Sequence, residues 1–148
     1  MALKEKLQES LWAATRHQEK VQVSILRLLL SDIKNAEIAE QKPVDDTKVA
    51  EIINRQVRRH RESIEAFKQG NRSDLVAQEE AELNILMEFL PKQISHDEIV
   101  AAARQAIESV GAVGPSDKGK VMSQLMPQLK GKADGKEVSD IVLQLLQQ

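Results

Sequence analysis

The residue types with the clearest capacity for chemistry fall in four places. They are three histidines (His17, His60 and His96), a carboxylate-rich run AQEEAELNILME at 77–88, the basic run RQVRRHR at 55–61, and the stretch DKGKVMSQLMPQLKGKADGKE at 117–137. A helical metal site wants a second ligand three or four residues from a histidine, and none of the three has another histidine at that spacing. His60 is flanked by Arg58, Arg59 and Arg61, whose charges oppose a cation. No metal ligands are therefore expected, and the histidines read as surface or structural residues. Glu79 and Glu82 lie three apart on one prospective helix, close enough to form an acid/base pair. Beside an apolar stripe they read more simply as a solvated face. The patterns G-x-S-x-G, G-x-x-x-x-G-K-[ST] and G-x-G-x-x-G are absent, and GKADGK has neither the spacing of a phosphate loop nor a buried strand before it. With no cysteine, disulfides, thiol nucleophiles and thiolate-bound zinc are excluded. No catalytic residues and no cofactor are expected.

The two basic runs differ in what they imply. Arg55 and Arg59 share one helix face, Arg58 and Arg61 a neighbouring one, and Glu51, Glu62 and Glu65 stand at pairing distance, so this run reads as a charged solvent face. In the second run, Lys130 and Lys132 fall at a helix end, where a cation suits the negative pole. Lys118, Lys120 and Lys136 fall in first turns, where a cation is disfavoured by about a few tenths of a kcal/mol. Stability does not select lysine there. An incoming phosphate would, since helix N-termini and lysines both attract anions. Asp117 and Asp134 compete for the same N–H groups as caps.

Seven helices must position these groups. Leu3, Leu7, Leu11 and Ala14 recur at helical spacing. Over 21–41, Val21, Ile25, Leu28 and Leu29 mark a stripe that Leu26, Leu30 and Ile33 widen, until Lys42-Pro43 stops the helix. Asp45 or Asp46 caps the next, striped by Val49, Ile53, Val57, Ile64 and Phe67 up to Gly70-Asn71. A fourth runs from Ser73 to Leu90 with Leu75, Leu83, Leu86 and Leu90 inward, closed by Pro91. SHDE at 95–98 and DGKE at 134–137 are capping-box patterns, and Gly111 suits a left-handed cap. Val121, Met122, Leu125, Met126 and Leu129 form a short helix in which Pro127 implies a kink or break. Val138, Ile141, Val142, Leu145 and Leu146 carry the last helix. The expected fold is all-α in two packing units: an N-terminal bundle of long helices over 1–90 and a small three-helix domain over 93–148. The 148 residues suffice for one ordinary domain or two small ones, and the scarcity of aromatic residues suits packed helices better than a sheet.

A net charge of −2 does not mark a generally basic nucleic-acid binder, so any such role rests on local patches. No apolar run approaches a membrane span and no secretory signal is evident. With no cysteine, a cytoplasmic location is expected.

Two stretches carry a resemblance. EAFKQGNRSDLVAQEEAELNILMEFLP, 65–91, has Gly70, Arg72, Asp74, Leu75, Glu82, Leu83, Leu86, Leu90 and Pro91 in register, and DKGKVMSQLMPQLKGKADGKEV, 117–138, accompanies it. Together they resemble the YqeY-like proteins of the GatB/YqeY family along essentially the whole chain. Phe89 stands where many relatives have tyrosine, and Ser123 where glycine or alanine is frequent. The resemblance implies kinship with the tail of the B subunit of the glutamine-dependent aspartyl/glutamyl-tRNA amidotransferase and with modules appended to some glutaminyl-tRNA synthetases. It implies a free-standing tRNA-binding accessory module. The implied contact residues are Lys118, Gly119, Lys120, Lys130, Gly131, Lys132 and Lys136, with the glycines allowing close backbone approach. Two alternatives accompany it. One is an adaptor docking on an amidotransferase or aminoacyl-tRNA synthetase, with an apolar surface around Met122 and Met126. The other is the family-level label of carbon–nitrogen ligase with glutamine as amide donor, for which no catalytic site is recognisable.

Overall fold

In the computed structural model, which describes residues 2–148, the helices are α1 (Leu3–Arg16), α2 (Lys20–Glu40), α3 (Asp46–Gln69), α4 (Ser73–Phe89), α5 (His96–Val110), α6 (Lys118–Leu129) and α7 (Gly135–Leu146). A 3₁₀ turn, Pro115–Asp117, leads directly into α6. The fold class is all-α: among the described residues there is no strand, only an isolated bridge between Lys130 and Ala133. The chain divides into two compact units, Met1–Leu90 and Pro91–Gln148.

In the first unit α1 packs on α2, α3 packs on α4, and α2 touches both α3 and α4. Its core gathers Leu3, Leu7, Ile25, Leu26, Leu29, Ile33, Val49, Ile53, Val57 and Leu86. The stripe on α2 is narrower than its composition suggests. Val21 and Leu28 are 44% and 41% exposed. They lie seven residues apart, on one margin of the helix, while Ile25, Leu29 and Ile33 follow its buried centre.

Two carboxylates at the start of α3 divide their work. Asp45 caps it, accepting the Lys48 N–H at 2.8 Å. Asp46 instead accepts the Leu3 N–H at 2.9 Å, satisfying a first-turn donor of α1. Near the end of α2, Glu37 accepts from Lys4 Nζ at 2.8 Å and from the Val44 N–H at 3.2 Å. The Lys4 ammonium, then the Val44 amide, hold the Glu37 carboxyl below its ordinary range. Since the folded value is depressed, this stabilisation is present at neutral pH and is lost as pH falls through the ordinary glutamate range, about pH 4.3, towards the folded value. Glu37→Gln should therefore lower the urea midpoint at neutral pH and converge on the parent in acid. Parallel midpoint-versus-pH curves would disprove the linkage.

In the second unit α5, α6 and α7 pack against one another around Ile99, Ala103, Val121, Leu125, Leu129, Val138, Ile141 and Val142. Ser95 Oγ accepts the Glu98 N–H at 3.2 Å, and Gly111 ends α5 with φ +68°. The second capping-box pattern is not realised: Asp134 stands at the cap position of α7 but makes no side-chain cap bond. Pro127 does not break its helix either, for α6 continues to Leu129. The proline lies in the last turn, and the Lys130 N–H still reaches the Met126 carbonyl at 2.9 Å.

Candidate functional site

Lys118 and Lys120 occupy the first and third positions of α6, and Lys136 the second of α7, so all three stand at positive helix poles. Lys120 and Lys136 are exposed and Lys118 is half-buried. Asp117 does not cap α6 with its side chain. One carboxylate oxygen accepts the Val113 N–H at 3.0 Å, and the other lies 3.8 Å from Lys120 Nζ. The preceding 3₁₀ turn explains this, because it turns Asp117 back towards residue 113. Gly119 is exposed, and a Cβ there would meet nothing within 4 Å.

Lys130 stands at the C-terminal cap of α6 and Lys132 two residues beyond, both exposed. Gly131 departs from the expected backbone approach to RNA. It is buried, its φ is +76°, and its carbonyl accepts from Gln93 Nε2 at 3.0 Å. The left-handed turn into Ala133 accounts for glycine at this position. Met122 and Met126, the expected centre of an adaptor's apolar surface, are partly buried against the core of their unit.

The run at 55–61 contains a second arrangement. Arg55, Arg59 and Arg61 are exposed, but His60 between them is only 6% exposed. Its Nδ1 lies 2.8 Å from the Gln56 carbonyl oxygen. Its Nε2 lies 2.9 Å from Glu82 Oε2 and 3.6 Å from Glu79 Oε2 on α4. Sequence reasoning placed these carboxylates on a solvated face and missed the meeting, because it compared spacings within one helix. The signal lay in the turn: His60 and Glu82 each stand eleven residues from Asn71, in mirror register across the α3–α4 hairpin. His17 and His96 are exposed, His96 being 3.8 Å from Glu137 Oε1.

The family model described as YqeY-like protein matches residues 4–146. The chain belongs to the YqeY-like family. Relatives of this YqeY-like chain include three fungal proteins, each named altered inheritance of mitochondria protein 41, mitochondrial. The one from Pyrenophora tritici-repentis is 29% identical over 133 residues, covering 86% of this chain and 71% of the relative. Those from Lachancea thermotolerans and Eremothecium gossypii are 35% and 32% identical over 85 residues, covering 57% of this chain. The chain thus spans 46% of the length of these two. Their names overturn the expected cytoplasmic location: the relatives are mitochondrial proteins, and a lack of cysteine does not distinguish one reducing compartment from another. No helix among the described residues is long and apolar enough to cross a membrane.

Proposed function

We propose that this YqeY-like chain is a free-standing tRNA-binding accessory module, resembling the amidotransferase B-subunit tail and carrying no catalytic site of its own. In this reading a bundle of long helices precedes a small three-helix domain, and the latter presents Lys118, Lys120, Lys130, Lys132 and Lys136 to tRNA phosphates. The observation that carries the reading is the start of α6. Two lysines and an open glycine stand at its positive pole, while the Asp117 carboxylate is directed to the Val113 amide instead of capping the helix. The helix dipole disfavours such lysines, a cost that the Asp117 carboxylate 3.8 Å from Lys120 Nζ offsets for one of them, whereas anion binding favours both. Recognition would come from phosphates, 2′-hydroxyls and RNA shape. The amide-transfer label is not adopted, because a glutaminase nucleophile and an ATP-cradling loop have no counterpart in the sequence.

The test is binding of bulk and mitochondrial tRNA across a salt series by the parent and by Lys118→Ala/Lys120→Ala/Lys136→Ala. The parent should weaken steeply with salt. Removing three phosphate contacts should lower the slope of log affinity against log salt by roughly 2–3. Equal affinity and equal slope in both proteins would reject the assignment.

A further inference from the structure

The His60 cluster poses a proton-counting problem. A carbonyl oxygen only accepts, so the Nδ1 that faces Gln56 at 2.8 Å carries a proton. In the neutral ring, Nε2 is then a bare lone pair. It nevertheless points at two carboxylate oxygens, 2.9 Å and 3.6 Å away. Three acceptors converge in a place where the histidine side chain is 8% exposed and the carboxylates 16% and 22%. A single added proton bridges one pair of them. A divalent cation satisfies all three at once.

We propose that His60, Glu79 and Glu82 form a divalent transition-metal site joining α3 to α4. One imidazole nitrogen with two carboxylate oxygens suits Zn²⁺. Bonds of about 2.0–2.1 Å in tetrahedral geometry put neighbouring ligand atoms roughly 3.3 Å apart. The observed separations from Nε2 lie on either side of that value, and all three ligand atoms lie within 4.8 Å of one another. The Gln56 carbonyl supplies the outer partner that fixes the tautomer and the ring orientation of the ligand. The neighbouring arginines do not bar a cation. Residues one or two apart on a helix do not share a face, which covers Arg58 as well as Arg59 and Arg61. Arg59 and Arg61 are exposed, and the Arg61 guanidinium reaches Met87 Sδ at 3.9 Å.

The experiment uses the full chain carrying His17→Asn and His96→Asn, so that His60 is its one histidine. The protein is stripped with a chelator and titrated with Zn²⁺ by calorimetry, then melted with and without the metal. One ion per chain should bind, and the melting temperature should rise. Adding Glu79→Gln leaves the His60–Glu82 contact in place and should weaken Zn²⁺ by at least about tenfold, the loss typical of even an outer-sphere change. Co²⁺ gives a readout that needs no further variant: on the stripped chain it should shift or broaden the His60 ring-proton resonances. Absence of saturable Zn²⁺ uptake, equal affinity in the Glu79→Gln protein, or unaffected His60 resonances would each overturn the site. None of these results depends on whether the chain binds tRNA.

Discussion

Leu125→Ala should remove about 2–5 kcal/mol from the second unit, with part of that cost coming from the cavity left behind. Leu125 is fully buried on α6, between α5 and α7. A unit of about 60 residues has a total stability of roughly 3–9 kcal/mol, so the substitution consumes much of it. Trp12 lies in the other unit and its fluorescence is the wrong probe. Amide exchange along α5–α7 is the right one, and protection there should collapse towards that of an opened state. On the proposed reading, in which Lys118 and Lys120 of α6 meet tRNA, that affinity should also fall at temperatures where this unit is open, although no lysine has been changed. A loss below about 1 kcal/mol would mean that α6 is not held by this core.

Leu29→Ala should cost a similar amount, about 2–5 kcal/mol, in the first unit. Leu29 is fully buried on α2, the helix that meets α1, α3 and α4, so collapse around the missing atoms must involve several elements. Two neighbouring measurements make the result specific. Leu29→Met conserves volume and should cost less than about 1.5 kcal/mol. Leu28→Ala, one residue away on the exposed margin, should stay within about 0.5 kcal/mol of the parent. Urea unfolding followed by circular dichroism ranks the three. Equal effects at positions 28 and 29 would reverse the assigned face of α2.

Helix positions were legible in the sequence because they rest on local rules. Apolar recurrence marks α1 to α4, α6 and α7, while the Ser95 cap and the left-handed Gly111 bound α5, and Asp45 caps α3. Which side of an apolar-rich helix is buried was less legible. Val21 and Leu28 are as hydrophobic as their buried neighbours, and only the neighbouring helices decide between them. The wrong-pole lysines could be read from position alone. The direction of the Asp117 carboxylate could not, since it depends on the 3₁₀ turn before α6. Gly131 reads in the sequence as an opening for a ligand backbone; its burial and its left-handed φ of +76° depend on the turn after α6 and are not legible there. His60, Glu79 and Glu82 were separately visible, but their meeting depends on the register of two helices across a turn.

That mirror register about Asn71 bears on the order in which the chain folds. The α3–α4 hairpin joins residues whose sequence separation begins at a few positions and grows outward, so each turn of paired helix closes only a slightly larger loop than the last. The Leu3–Asp46 bond spans 43 residues, a larger separation than the 22 between His60 and Glu82. The hairpin is thus a low-contact-order part of its unit, while the Leu3–Asp46 bond between α1 and α3 is one of its long-range closures.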